Sequence, residues 1–163
     1  MLIRTEAPAD ILFIKQLLSS IFSSSEEVSL VTTLRENGRR TLSLVACTDE
    51  GEKIGYIMFS PLIVNGEDSH WQVISLVCID EQYRGQGLAT QLVKEGLNSL
   101  IEFGYPGCVV ADNSSFWQKL GFRHVTLDFS KKLQIFSFNE QPFPQGDLSF
   151  GDEFDGLALA QMR

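Results

Sequence analysis

A short glycine-containing stretch in the middle of the chain has the residue types needed to bind a phosphate group. It reads Arg84-Gly85-Gln86-Gly87-Leu88-Ala89 and follows an apolar run that ends at Ile79. A strand that turns directly into a helix presents unpaired N–H groups and the positive end of the helix dipole, which together attract anions. Gly85 and Gly87 let a bulky anion approach the backbone, and Ala89 keeps the next turn narrow. The stretch therefore predicts a site for a phosphate or pyrophosphate.

Two familiar phosphate-binding motifs match this stretch poorly. A P-loop requires a lysine and then a serine or threonine after its last glycine, and neither Gly85 nor Gly87 is followed by that pair. A dinucleotide-binding motif requires a third glycine where Thr90 stands, inside a βαβ unit. Here the stretch lies in mid-chain, after strands that we expect to be antiparallel. A different phosphate-binding fold is indicated.

The apolar spacing predicts the elements that position this stretch. Ser24 with Glu27 resembles a capping box for the second helix, Pro61 is expected to end a strand, and residues 65–69 are expected to form a polar loop. Asn113 or Ser114 is expected to cap the short fourth helix. The predicted helices start near residue 8, near 25, at 88 and at 115, and the predicted strands cover 2–4, 41–47, 53–60, 72–79, 108–111, 122–127 and 133–138.

Two motifs in this order resemble the GNAT acetyltransferase superfamily. Arg84-x-x-Gly87-x-Ala89 matches the family signature Arg/Gln-x-x-Gly-x-Gly/Ala, and the segment from Phe116 to Phe122 resembles the family's Phe-Tyr-x-Lys/Arg-x-Gly-Phe. The predicted element order from Leu2 to Phe138 resembles the same fold. The resemblance implies one α/β (α+β) domain with a mixed, mostly antiparallel central sheet and helices on both faces. The Met-Leu-Ile-Arg start and the acidic, phenylalanine-rich end look like the bacterial YhbS-type branch of the superfamily.

The resemblance also implies an activity and a cofactor site. Members transfer an acetyl group from acetyl-CoA directly to a primary amine of a small molecule or a protein, without a metal. The backbone N–H groups from Gly85 to Ala89 would hold the CoA pyrophosphate, and backbone groups of Val77 and Ile79 would pair with the pantetheine arm. The cofactor-binding residues implied in this way are Val77, Cys78, Ile79, Arg84, Gly85, Gln86, Gly87, Leu88, Ala89, Asn113, Phe116 and Trp117.

Trp117 is the residue that the resemblance assigns to catalysis. It stands where members often have a tyrosine that protonates the leaving CoA thiolate. An indole N–H donates a hydrogen bond but supplies no proton near neutral pH. Either the thiolate leaves unassisted or another group acts as the acid. A second hypothesis is therefore an acyl-CoA-binding regulatory or partner-binding protein with little catalysis, and a third is a purely structural role.

The last 25 residues differ in composition from the rest. They contain two prolines, five acidic residues and one basic residue, and so carry half of the net charge of −8. Phe143, Phe150 and Phe154 are too apolar for a solvated tail. We therefore expect an acetyltransferase domain over 1–138 and an acidic C-terminal extension over 139–163 that packs on it.

Composition limits the remaining possibilities. A chain of 163 residues suits one domain, and the net charge of −8 argues against a nucleic-acid partner. No apolar run approaches the roughly 20 residues of a membrane span, and the first residues lack a signal peptide, so we expect a cytoplasmic protein, monomeric or homodimeric. Cys47, Cys78 and Cys108 are expected to be buried free thiols. His70 and His124 lack a second ligand at metal spacing.

Overall fold

A computed structural model of the chain describes residues 1–125 and 133–155 and the backbone of residues 161 and 162. The helices are α1 (Ile11–Ile21), α2 (Glu26–Glu36), α3 (Leu88–Glu102) and α4 (Ser115–Lys119). The strands are β1 (Leu2–Thr5), β2 (Leu42–Cys47), β3 (Lys53–Val64), β4 (Glu67–Ile79), β5 (Gly107–Val110), β6 (Arg123–Val125), β7 (Leu133–Ser137), β8 (Leu148–Ser149) and β9 (Gln161–Met162).

One sheet runs through the molecule in the order β1-β2-β3-β4-β5-β7-β6, and β8 and β9 join it beside β3 and β4. Strand β4 pairs in parallel with β5 and with β9, whereas the other pairs are antiparallel. The mixed, mostly antiparallel sheet that the family resemblance implied is therefore confirmed.

Helices cover both faces of the sheet. Successive strand residues point to opposite sides, and here both sides carry apolar residues that pack against helices. On one face, Leu18 of α1 and Leu34 of α2 pack with strand residues such as Tyr56. On the other face, Leu92 of α3 and Trp117 of α4 pack with their own set of strand residues. Each face has its own apolar core, and the predicted layer arrangement is confirmed.

The β3–β4 hairpin is longer than the sequence indicated. Strand β3 continues through Pro61 to Val64, so the predicted strand end at Pro61 is wrong, and the loop predicted over 65–69 is confined to a turn at Asn65 and Gly66 because β4 begins at Glu67. Pro61 lies where the register between the strands shifts, and proline is tolerated at such an irregularity. Asn65 and Gly66 have φ values of 51° and 80°, as the tight turns of β-hairpins require.

Two local expectations at helix starts have different outcomes. Ser114 caps α4, since its Oγ accepts a hydrogen bond of 3.1 Å from Phe116 N, as one of the two alternatives predicted. The capping box at Ser24 is wrong, because Ser25 is the residue before α2. Ser24 Oγ instead accepts from Glu26 N and donates to Glu27.

The last two residues of the strand predicted over 122–127 lie outside the described residues.

The described part of the C-terminal segment lies against the sheet and α2. Strand β8 pairs with β3 through Ile63 and Val64. Phe150 and Phe154 are each 5% exposed and belong to the core on the α1 and α2 side. The Arg39 guanidinium donates a hydrogen bond of 3.1 Å to Glu153. The division of the chain at residue 138 stays a prediction.

Candidate functional site

Strand β4 contains an irregularity at Ser75. In the β3 register Met58 faces Leu76 and Phe59 faces Ile74, so Ser75 has no residue opposite it. This is the arrangement of a β-bulge, and it shifts the alternation so that Ile74 and Val77 lie on the same face. Ser75 Oγ lies 2.5 Å from Ser60 Oγ in a fully buried pair. The bulge marks the point beyond which β4 leaves its neighbour β5.

Strands β4 and β5 form a fork. Their parallel pairing joins Gln72 to Cys108 and Val73 to Val109. Beyond Val73, the described residues show no further pairing between these strands, and β4 continues to Ile79. In this stretch the backbone edge of β4 that faces β5 is therefore left to a partner other than β5, and β9 pairs with Leu76 and Val77.

Hydrogen bonds fix the loop that leads from β4 to α3. Asp80 N donates to Ile54 O at 2.8 Å, and Asp80 Oδ1 accepts from Gln82 N at 2.9 Å. Arg84 Nε donates to Ile79 O at 3.0 Å. The loop is thus tied back onto the end of β4, which brings the glycine turn next to the fork.

The start of α3 presents unpaired amides. Gly85 and Gly87 have φ values of 79° and 81°, a left-handed conformation that glycine adopts without strain. Gly87 is the residue before the helix, and the first backbone bond runs from Gln91 N to Gly87 O at 3.1 Å. The amides of residues 85–90 have no acceptor among the described residues. Apart from its chain neighbours, no described residue has an atom within 4 Å of a β-carbon built on either glycine, so the described residues leave the space over the turn open.

A pocket of about 230 Å³ lies over this turn and the end of β4. Arg84 is the one charged residue that the described part of the chain contributes to its lining, which suits an anion. The structure brings together seven of the predicted site residues and adds Tyr83 and Thr90. The lining consists of Ile79, Tyr83, Arg84, Gly85, Gly87, Leu88, Ala89, Thr90 and Phe116.

Tyr83 and Thr90 flank the glycine motif, and sequence reasoning missed both. Tyr83 has a hydroxyl that donates to Glu52 at 3.3 Å, and the Glu52 carboxylate raises the pKa of this phenol. Thr90 lies in the first turn of α3, where a hydroxyl can join the amides. The one signal in the sequence that could have identified Tyr83 and Thr90 as lining residues is that each lies directly beside the glycine motif.

Five predicted site residues lie outside the lining of this pocket. Gln86 and Asn113 are exposed, and the side chains of Val77 and Cys78 are buried in the sheet. Trp117 is 0% exposed, and its indole Nε1 donates to Asp112 Oδ2 at 2.7 Å. Their assignment to cofactor binding or catalysis stays a prediction.

The three cysteines are free and buried, as the sequence predicted. Burial raises the pKa of the Cys78 thiol to about 12 and also raises that of Cys108. These two thiols are therefore protonated near neutral pH.

Among the described residues, no group of three or more His, Cys, Asp or Glu is placed to bind a metal ion. Nor is any helix of the described chain long and apolar enough to cross a membrane.

Known proteins share this arrangement. Residues 11–122 match the model of the acetyltransferase (GNAT) family. The chain is 51% identical over 122 residues to YhbS of Escherichia coli strain K12, described as an uncharacterised N-acetyltransferase, and the match covers 75% of this chain and 73% of YhbS.

Two solved structures are similar over nearly the whole chain. The crystal structure of Escherichia coli YhbS in complex with CoA has a TM-score of 0.84 and 39% identity, and covers 98% of this chain and 94% of that one. A GNAT family acetyltransferase from Brucella melitensis in complex with acetyl-CoA has a TM-score of 0.82 and 31% identity, with 94% and 97% covered.

The sheet order and the fork beside α3 thus define a protein of the GNAT fold class. The chain belongs to the acetyltransferase (GNAT) family. The expectation that this is an N-acetyltransferase similar to YhbS is confirmed at the level of the family.

Proposed function

We propose that this chain transfers an acetyl group from acetyl-CoA to a primary amine of a small molecule or a protein, by direct transfer. The observation that carries the proposal is the unpaired start of α3 next to the β4–β5 fork. The family membership and the relatives crystallised with CoA and acetyl-CoA support it.

The open turn fits the CoA pyrophosphate. The amides of residues 85–90 point to no protein acceptor among the described residues, and an anion satisfies such donors best. Arg84 adds a positive charge, and the open space over Gly85 and Gly87 admits the phosphates without a clash. Phe116 and Ile79 would supply apolar contacts beside them. Gln86, Leu88, Ala89 and Asn113 complete the proposed set.

The edge of β4 would orient the thioester. Beyond the pairs at Gln72 and Val73, the backbone from Val77 to Ile79 would offer donors and acceptors to the two amides of a pantetheine arm, which would then take the place of β9 at Val77. Bound acetyl-CoA would supply a carbonyl carbon for the amine nitrogen: a C–N bond would form, the C–S bond would break, CoA would leave as the thiolate, and the nitrogen would lose a proton to solvent. The chain contributes position and a strand N–H that polarises the carbonyl.

We propose that Trp117 supports the site through packing rather than by proton transfer. Its side chain is fully buried, its N–H is already bonded to Asp112, and an indole has no proton to give at neutral pH. The lack of an acid at this position favours a second candidate, an acyl-CoA-binding regulatory protein with little catalysis. Turnover separates the two.

The test combines binding with turnover. CoA at about 100 times its dissociation constant should stabilise the protein by about 2.7 kcal/mol in a thermal shift experiment. Acetyl-CoA and a panel of amines, polyamines and peptides should then give thiol release. Binding without release from any amine would favour the regulatory protein, and the absence of binding would reject both candidates.

We further propose that the protein works in the cytoplasm as a monomer or homodimer. Three buried free thiols suit a reducing compartment. Light scattering measures the assembly, and the amine panel identifies the acceptor.

A further inference from the structure

The C-terminal strand β9 lies in the fork. Strand β4 has two backbone edges, and β3 uses one of them along Met58 to Gly55, opposite Leu76 to Ile79. Strand β9 pairs with the same stretch of β4, since Leu76 faces Gln161 and Val77 faces Met162. Two strands cannot share one edge at the same residues, so β9 must occupy the other. That is the edge on which β5 pairs with Gln72 and Val73.

This edge is the one that the proposed function assigns to the pantetheine arm, and the inference rests on that assignment. The backbone groups at Val77 can pair with one partner at a time on this side. We propose that Gln161 and Met162 form an autoinhibitory strand that competes with the pantetheine arm of CoA for the edge of β4. The protein with β9 in place is then the closed form, and CoA binds the form in which β9 has left.

The residues before β9 hold it close to its target. Phe150 and Phe154 are buried in the core on the α2 side, and Glu153 is paired with Arg39. A segment that is tied down seven residues before Gln161 keeps the strand at a high local concentration near the fork. Because β9 is two residues long, its pairing is weak enough for a ligand to displace.

Because only the open form binds CoA, the apparent affinity equals the affinity of the open form multiplied by the fraction of molecules that are open. If that fraction is about a tenth, removal of β9 should tighten CoA binding about 10-fold. The nucleotide half of CoA, 3′-phospho-ADP, would bind at α3 and would not compete with β9 for the fork. Its affinity should therefore be independent of β9.

The experiment compares the full chain with a variant that ends at residue 160, by calorimetric titration with CoA and with 3′-phospho-ADP. This truncation keeps Phe150 and Phe154, so the core is preserved. Tighter CoA binding with unchanged nucleotide binding is the expected result. Equal or weaker CoA binding by the variant, or an equal gain for both ligands, would overturn the inference.

A pair of point variants gives an independent reading. Met162→Pro removes a backbone N–H and suits a paired strand poorly, whereas Met162→Leu keeps the backbone donor. The proline variant should bind CoA like the truncated chain, and the leucine variant like the full chain. The same CoA affinity in both point variants and the full chain would overturn the inference. If neither the full nor the truncated chain binds CoA although both are folded, the proposed function fails instead.

Discussion

Trp117 Nε1 donates a hydrogen bond of 2.7 Å to Asp112 Oδ2 across the turn that leads from β5 into α4. The indole ring lies between Phe116 and Phe122, with centroid distances of 4.9 Å and 5.4 Å. Since Phe116 lines the pocket over the glycine turn, this bond positions one wall of the proposed cofactor site. Trp117, the residue that the family resemblance assigns to catalysis, is therefore buried, and its indole N–H is already bonded to Asp112.

Replacement of Trp117 should affect stability more than rate. Trp117→Phe loses the bond to Asp112 and part of the ring volume, and we expect it to lower the free energy of unfolding by about 1–2 kcal/mol. Trp117→Ala should cost about 3–5 kcal/mol because it opens a cavity. Once an acceptor amine is known, kcat of the phenylalanine variant should stay within about threefold of the parent. A loss of about 100-fold in kcat with unchanged stability would show that Trp117 takes part in catalysis.

The glycine before α3 allows a matched test of phosphate binding. Gly87 has φ of 81° and open space above it, and Asn and Asp both tolerate this conformation and cap helices well. The two side chains have nearly the same shape, so Gly87→Asn and Gly87→Asp differ mainly in charge. We expect the aspartate variant to bind CoA about 10-fold or more weakly than the asparagine variant, because a carboxylate would face the phosphates.

The difference in CoA affinity between the aspartate and asparagine variants should shrink as salt is added, since ions screen exposed charges. Thermal shift and calorimetry at low and high ionic strength measure both effects. Equal CoA affinity of the two variants, with both folded, would place the phosphates elsewhere.

The local features of the site were predictable from the sequence, because they depend on neighbouring residues. The turn at Gly85 and Gly87 and the apolar face of α3 are of this kind. The capping of α4 by Ser114 is another, although Asn113 was the equal alternative.

Features that depend on distant partners were not predictable. Pro61 predicts a strand end when only its own backbone is considered, but a register shift against β4 accommodates it. The bulge at Ser75 arises from pairing with Phe59 and Met58, which lie more than fifteen residues earlier. The pairing of Gln161 with Leu76 joins parts of the chain that no local pattern connects. The burial of Trp117 likewise depends on how α4 packs on the sheet.

The thiols should be inert in the native protein. Cys47, Cys78 and Cys108 are buried, which keeps a reagent away from all three sulfur atoms, and burial also raises the pKa of the Cys78 thiol to about 12, so almost no Cys78 thiolate is present near neutral pH. An aromatic disulfide reagent should label none of them in the folded chain and all three after unfolding in denaturant. Colour development then also reports CoA release without background from the protein. Rapid labelling of the native chain would mean that one of the buried strands is accessible.

The ion pair of Asp10 and Arg4 should make stability depend on pH in acid. Asp10 Oδ1 and Oδ2 accept hydrogen bonds of 2.8 Å and 2.6 Å from Arg4, and Oδ2 also accepts from Ala7 N. The Arg4 guanidinium lowers the pKa of Asp10 to about 2, against roughly 3.9 in an unfolded chain. Because the folded pKa is the lower one, the stabilisation is complete above about pH 4 and is lost as the pH falls through about 2.

Asp10→Asn removes this charge and keeps the shape of the side chain. We expect the variant to be about 1–2 kcal/mol less stable than the parent at neutral pH, with allowance for the solvent that reaches Arg4. The difference should narrow between about pH 4 and pH 2, where the parent carboxylate becomes protonated. Urea unfolding of both chains across this range measures it. A difference that stays constant down to pH 2 would show that the neutral hydrogen bonds, rather than the charge of Asp10, provide the stabilisation.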